Sequence, residues 1–163
     1  NWRPTFWDSN RAPDSPPDEV VSSIIEPLLE CASLLKLAKE EALCFFQSDD
    51  PVAISRLLPR QPDVVLTDGS RPIKWLIGGF AGEMNVFSSA SLLDTTGAGD
   101  AFTAGLLNQF LSLSLLDLNA SKVKEMVRFA AACGFLVCGG AGAIDPQPTK
   151  TEVELFLASA QEG

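Results

Sequence analysis

Histidine and tyrosine are absent from this 163-residue chain. Without histidine, Ser-His-Asp and Cys-His nucleophilic sites and histidine–metal centres are excluded. Acid–base chemistry falls to Asp, Glu, Lys or Cys. Positive charge is scarce: 12 Lys and Arg stand against 21 Asp and Glu, a net charge of −9. That balance argues against nucleic acid as a partner, because phosphate backbones need clustered cations. It leaves a nucleotide open, since backbone N–H groups and a metal ion can hold phosphates on an acidic protein. None of the four cysteines, Cys31, Cys44, Cys133 and Cys138, forms a C-x-x-C pair, and a zinc site would need all four. They are expected to be buried free thiols in apolar helical surroundings. The apolar stretches Ala101–Leu116 and Phe129–Ile144 are too short and too rich in Gly or polar residues to cross a bilayer, so no membrane is expected and both read as buried core helices. Asn1-Trp2-Arg3-Pro4 opens without methionine or an apolar run, and no signal peptide is expected there. The GxxxxGK[ST] phosphate loop, the third glycine of a dinucleotide fingerprint and the GxSxG elbow are all missing, so a glycine-rich turn in this chain belongs to none of those three motifs.

What is present alternates between strand and helix. Trp2–Trp7 reads as the end of a strand and Asp8–Asp18 as a polar loop. Glu19–Leu29 has helical spacing, and Leu34–Leu37 is a short buried strand. Helices are expected at 39–47 and 51–58, the second with Pro51 in its first turn. Asp63–Thr67 reads as a strand ending in a turn at Asp68-Gly69. Strands at 73–77 and 83–88 are joined by a loop over 78–82. Helices follow at 100–116 and 121–138, the second closed by Gly139-Gly140. The run at 111–116 reads as a buried helix end. A last helix starts at Thr149, with Glu152 completing a capping box. This alternation predicts an α/β layered fold with a largely parallel sheet flanked by helices.

The most informative stretch runs from Asp94 to Leu107, Asp-Thr-Thr-Gly-Ala-Gly-Asp-Ala-Phe-Thr-Ala-Gly-Leu-Leu. Small residues make a turn that leads into a helix. Gly97 and Gly99 leave backbone N–H groups open to a ligand. The helix start adds its partial positive charge at the same place. Together they make an anion site without a lysine. Asp100 stands beside it, placed as a proton acceptor for an attacking hydroxyl. Read by itself, a Gly-x-Gly-Asp is also an ordinary helix start, where acids are favoured.

The fourteen-residue pattern resembles the second signature of the PfkB (ribokinase-like) carbohydrate kinases at every constrained position, and the fructokinase-like branch most of all. The resemblance implies a ribokinase-like (Rossmann-like) fold, with Gly97, Ala98 and Gly99 as the anion hole and Asp100 as the catalytic base. It implies ATP and Mg2+ as cofactors and a small-molecule sugar as substrate. Lys36-Leu37-Ala38-Lys39-Glu40-Glu41 is similar to the family's N-x-x-E segment, which makes Glu41 a magnesium residue acting through water. Ala38 departs from the usual Asn, and taken alone the segment is a solvated helix start. Thr67-Asp68-Gly69-Ser70-Arg71-Pro72 resembles the T-x-G-x-x-G turn near the ATP phosphates, with Thr67 and Gly69 matching and Pro72 in place of the second glycine. Proline has no N–H and a fixed φ, so this turn is expected to differ. Gly142 and Ala143 match the Gly-Ala of the adenine loop, and Ala131 stands where ribokinases carry Asn. Asn1 and Arg3 look like the tail of a D-x-N-x-R strand end near the substrate and phosphate path; Arg3 beside Trp2 equally suits a stacked structural residue. Asp94 and Thr96 match the family's monovalent cation site, so K+ is a further expectation.

The resemblance runs from Asn1 to about residue 158 but covers about half of a family member. The 163 residues are therefore expected to be the C-terminal, nucleotide-binding part of a kinase domain, without the N-terminal half and β lid. Such a piece can supply a base but not the alignment of sugar and phosphate, so little activity is expected of it by itself. Its sheet edge is expected to favour association, and a homodimer is the expectation for the full-length parent. The compartment expected is the cytoplasm, with the plastid stroma as the alternative. Two other functions compete. A non-catalytic kinase-like scaffold has its precedent in fructokinase-like proteins of plastid transcription complexes. A nucleoside kinase would keep the chemistry and change the acceptor.

Overall fold

The computed structural model describes residues 6–8, 27–88, 93–112 and 118–160. They belong to two compact units, Asn1–Glu83 and Met84–Gly163.

The first unit is built on a five-stranded sheet in the order β1-β2-β3-β4-β5. These strands are Phe6–Asp8, Leu34–Ala38, Asp63–Thr67, Ile73–Ile77 and Phe80–Met84. β1, β2 and β3 run parallel, and β4 is antiparallel to β3. The sheet is thus mixed, parallel on one side and closed by a hairpin on the other. The Leu-Leu-Lys-Leu-Ala and Asp-Val-Val-Leu-Thr runs are the near-continuous apolar segments that a sheet buried on both faces requires. Leu35 pairs with Val64 and Leu37 with Leu66. These four share one face and pack with Ala42 of α1 (Lys39–Phe46) and Ile54 of α2 (Pro51–Leu57). Leu29, in the helical residues 27–31, closes the same core. Each such side chain contributes about 1.5–3 kcal/mol by leaving water.

The hairpin corrects one expectation. Only Gly78 and Gly79 form the turn, and β5 begins at Phe80 rather than at Glu83. Both glycines have positive φ, 56° and 83°, which a two-residue hairpin turn with the twist of the strands demands. Gly82 then lies within β5 against Trp75, where a Cβ would come 2.5 Å from the indole ring.

The second unit contains α3 (Ala98–Ser112), α4 (Ala120–Val137) and α5 (Lys150–Ser159). Asn119 caps α4 by accepting the N–H of Lys122 at 3.0 Å. Thr149 and Glu152 form the expected capping box on α5. The core joins Ala101 of α3, Phe129, Ala132, Cys133 and Val137 of α4, and Val153 of α5. Phe87 meets Phe156 edge-on with ring centroids 4.9 Å apart, and Phe135 stacks on Phe156 at 5.2 Å. Arg128 covers the Phe87 ring and donates to the carbonyl of Ala160 at 3.1 Å, closing the C-terminal end of α5.

α3 and α4 approach closely because two glycines leave room. A Cβ on Gly105 would lie 2.7 Å from Cys133 Sγ, and one on Gly134 would lie 2.8 Å from the carbonyl oxygen of Ala98. Two other expectations need correction. Cys133 and Cys138 are buried, but Cys31 and Cys44 are exposed, although all four are free as expected. They occupy helical positions that face away from the core, a distinction that composition does not carry. Burial pushes the Cys133 thiol up to about 11, which leaves it a poor nucleophile. Leu111 and Ile144, expected inside, are each 84% exposed, Leu111 near the end of α3 and Ile144 in the turns after α4.

Gly134→Ala should destabilise the protein by about 1–3 kcal/mol, because the carbonyl of Ala98 must move to admit the methyl. Urea unfolding should show a lower midpoint at unchanged slope. A midpoint equal to that of the natural sequence would mean that α3 and α4 do not approach this closely.

Candidate active site

The Asp94–Asp100 segment is a tied turn that runs into α3. Asp94 Oδ1 accepts the N–H of Thr96 at 2.9 Å and its hydroxyl at 2.7 Å. Its other oxygen accepts the N–H of Gly142 at 3.0 Å. The N–H groups of Leu93 and Asp94 donate to the carbonyl of Cys138 at 2.9 and 3.4 Å. These bonds seat the turn on the segment that follows α4. Gly97, at φ +81°, completes the fit: a Cβ there would lie 2.7 Å from Ala143 Cβ. Glycine is therefore required at 97 twice over, by backbone conformation and by the neighbour.

Helical bonding begins with the N–H of Ala101 donating to the carbonyl of Gly97 at 2.9 Å. The N–H of Ala98 donates to Thr95 at 3.2 Å, a bond that closes the turn. Gly99 lies in the first turn, where the helix itself offers its N–H no carbonyl. Both Gly99 and Asp100 are exposed. The arrangement therefore presents a helix N-terminus, with roughly half an elementary positive charge, beside the carboxyl of Asp100. The structure brings Asp94, Thr96, Gly97, Gly142 and Ala143 together around this helix start. Gly142 has φ +79° and open space on its Cα.

In the first unit, Ala38 and Thr67 are register partners at the ends of β2 and β3. Glu41 is buried, and its Oε2 accepts the N–H of Ala38 at 2.7 Å. This is the third position of α1, where a carboxyl reaches back over the helix start. Ala38 has no side-chain oxygen to return the bond, so the Asn-to-Ala departure leaves half of a capping box. Gly69 takes φ +54° in the turn after β3, with nothing within 4 Å of a would-be Cβ. The turn closes by the N–H of Arg71 donating to the carbonyl of Asp68 at 2.9 Å, so Pro72 removes no bond from it. Among the described residues, no group of three or more His, Cys, Asp or Glu side chains could hold a metal ion. Mg2+ often binds through one carboxylate plus substrate phosphates and water, and a single glutamate fits that use. Asn1 and Arg3 lie outside the described residues.

The pattern of the pfkB family carbohydrate kinases matches residues 4–150. The chain belongs to this family. It is 32% identical over 165 residues to the Arabidopsis thaliana protein named "Probable fructokinase-6, chloroplastic", covering 98% of this chain and 40% of that one. It is 29% identical to fructokinase-2 of Solanum habrochaites over 90% of this chain and 45% of that protein. The chain thus spans less than half the length of these pfkB relatives. Among solved structures, the fructokinase of Xylella fastidiosa with bound ATP superposes with a TM-score of 0.78 at 25% identity, covering 94% of this chain and 51% of that one. The Arabidopsis thaliana ribokinase complexed with ribose and ATP gives 0.70 at 23% identity, covering 96% and 47%. The fold is that of the ribokinase-like pfkB enzymes. Among the described residues, no helix is long and apolar enough to cross a membrane.

Sequence reasoning missed one feature in each unit. One is the Cys138 carbonyl that holds the turn, a backbone contact with no residue-type signal. The other is a set of ion pairs around the Thr67–Pro72 turn, from Lys39, Asp49, Asp68 and Lys74. The partners are up to 29 residues apart.

The bonds from Thr96, first its N–H and then its hydroxyl, and from Gly142 hold the Asp94 carboxyl below its ordinary value of 3.8. A carboxyl depressed in the folded state stabilises it above the unfolded value, and that contribution is lost as pH falls through the lower folded value. The carboxyl carbon of Asp94 and the amide of Gly142 should therefore titrate together, with a midpoint below 3.8, in an NMR pH series. In Asp94→Ala the Gly142 amide should not follow. A midpoint at or above 3.8 would mean the tie is not formed in solution.

Proposed function

We propose that these residues are the C-terminal, nucleotide-binding part of an ATP-dependent sugar kinase of fructokinase type. The single observation that carries this reading is the small-residue turn at 97–99, backed by Ala143 and tied by Asp94, with Asp100 in the first turn of α3. Membership of the pfkB family and the likeness to fructokinases along nearly the whole chain support it.

In this reading Asp100 accepts the proton of the sugar hydroxyl as that oxygen attacks the γ-phosphorus. The bond to the β–γ bridging oxygen breaks, and ADP leaves with the electron pair. The N–H groups of Gly97 and Gly99, Gly99 the more open, face the charge that spreads over the transferring oxygens, while that of Ala98 is engaged by the Thr95 carbonyl. They require no reorganisation, because the turn is already held. Thr67 and Gly69, and Gly142 and Ala143, flank the nucleotide. Arg3 and Asn1 serve the phosphate and substrate path. Bound Mg2+ would neutralise phosphate charge. Glu41 would hold it through water, its carboxyl oriented by the N–H of Ala38. Asp94 is engaged with Thr96 and, through its other oxygen, with Gly142.

Titration calorimetry of Mg-ATP into the chain tests this. Binding should survive Asp100→Ala and be lost in Gly99→Asp, which sets a carboxylate against the anion site. Absence of binding by the natural sequence, shown folded by circular dichroism, would count against the nucleotide role and favour a scaffold.

In the full-length parent, Asp100→Ala should lower kcat by about 10²–10⁴ with little change in KM for ATP. The isolated chain should turn over little ATP with fructose present. Robust sugar-dependent turnover by the 163 residues would mean that they align sugar and phosphate unaided.

A further inference from the structure

The turn after β3 carries Thr67 and Gly69, yet little packing holds it. Gly69 has nothing within 4 Å of a would-be Cβ. Its internal backbone bond is the one from Arg71 to Asp68. What ties it to the rest of the first unit is charge. Lys39 Nζ donates to Asp68 Oδ2 at 3.1 Å and lies 3.9 Å from Asp49 Oδ2. Lys74 Nζ donates to the same Asp49 oxygen at 3.1 Å and to the Asp49 carbonyl at 3.3 Å. Arg71 Nε stands 3.8 Å from Asp68 Oδ2. The five side chains form a line of alternating sign, Arg71–Asp68–Lys39–Asp49–Lys74, around an open cleft of about 200 Å³. The line crosses from the turn to the first residue of α1, then to the loop before α2 and to β4.

The members are not equivalent. Arg71 is 72% exposed and its contact is long, so it contributes little. The side chains of Lys39 and Asp68 are only 30% and 23% exposed, and their contact is a hydrogen-bonded one. Lys74 is bound to Asp49, which lowers the Asp49 carboxyl through that hydrogen bond and its charge. Lys39 is the member that reaches both carboxylates. It is also two residues from Glu41, on the same helix start, and Ala38 beside it pairs with Thr67.

We infer that Lys39 is a positioning residue for the Thr67–Gly69 turn, acting through Asp68: the ion pair locks the turn to the α1 helix start and so presets the backbone that meets the nucleotide. The consequence for nucleotide rests on the function proposed above; the effect on the turn does not. Loss of the ammonium releases the turn while α1 and the sheet stay folded, because the core on that side is made by Leu35, Leu37, Ala42, Ile54, Val64 and Leu66.

Two measurements on the full chain test this, with Lys39→Met, Lys39→Arg, Asp68→Asn and the Lys39→Met/Asp68→Asn double variant. The first is amide hydrogen exchange without ligand. Lys39→Met should speed exchange at 67–72 by about two- to fivefold, the range expected of a partly exposed pair. Exchange in α2 should stay unchanged. Lys39→Arg should restore the protection, and the double variant should exchange no faster than either single one, since both remove one interaction. Unchanged exchange at 67–72 in Lys39→Met, or additive effects in the double variant, would overturn the inference. The second is Mg-ATP calorimetry, where Lys39→Met should weaken binding by a similar factor and Lys39→Arg should recover it. A flat titration for the natural sequence overturns the nucleotide reading, and the exchange data then decide the positioning role by themselves. Binding by Lys39→Met at full affinity, with exchange at 67–72 accelerated, would show that the lock orders the turn without serving nucleotide, against the inference.

Discussion

The carboxylate of Asp94 is the constraint on which the candidate anion site depends. It takes donors from two directions, Thr96 within its own turn and Gly142 from the segment after α4. That double use converts a run of small, flexible residues into a fixed turn. A turn of glycines is entropically costly to order and would by itself sample many conformations. In this turn the cost is offset by hydrogen bonds to a carboxylate, which are stronger than those between neutral groups. The contact of Gly97 with Ala143 follows from the same fit, because the two segments can meet only where one lacks a side chain.

The same logic extends into the helices behind the turn. Gly134 lets α4 pass close to the carbonyl of Ala98, and Gly105 lets α3 close on Cys133 and Ala130. The start of α3 is thereby supported along its buried side, while its first turn, with Gly99 and Asp100, stays exposed. A site that must present backbone N–H groups to solvent needs this division. The unpaired donors cannot be buried without loss, so rigidity has to come from the opposite face. Phe87, Phe135 and Phe156 meet ring to ring, and Phe87 and Phe156 pack on the core that includes Ala101 and Phe129.

The first unit holds the turn after β3 by a different means. Ala38 and Pro72 depart from the Asn and the second Gly of the family segments that these stretches resemble, and the turn is fastened by a line of ion pairs. Ion pairs of this exposure are individually weak and are screened by salt. Linked in a line, Asp68, Lys39 and Asp49 each serve two partners, so the entropy lost per contact is smaller. The second unit relies on hydrogen bonds to one carboxylate and on steric fit, which salt affects little.

The turn at 94–100 and the cap of α5 were legible in the residues, because they reside in local pattern. The fourteen positions from Asp94 to Leu107 carry their own turn, helix start and acid, and Thr149 with Glu152 carries its own cap; neither needs distant sequence to be read. Strand and helix order followed from apolar periodicity, which is also local. The misreadings fell where conformation or exposure depends on a neighbour. The Gly78–Gly82 stretch read as a loop, but positive φ at two glycines makes a hairpin and Trp75 takes the space beside Gly82. Cys31, Cys44, Leu111 and Ile144 have apolar character and are nonetheless exposed. By itself the sequence determined the family and the small-residue turn that opens α3 with Asp100 in its first turn, since those are properties of contiguous residues. Only the tertiary structure decided what holds the turns: the Cys138 carbonyl, the Ala143 contact and the Lys39–Asp68 pair are meetings of segments far apart in the chain, and no residue type announces such a partner in advance.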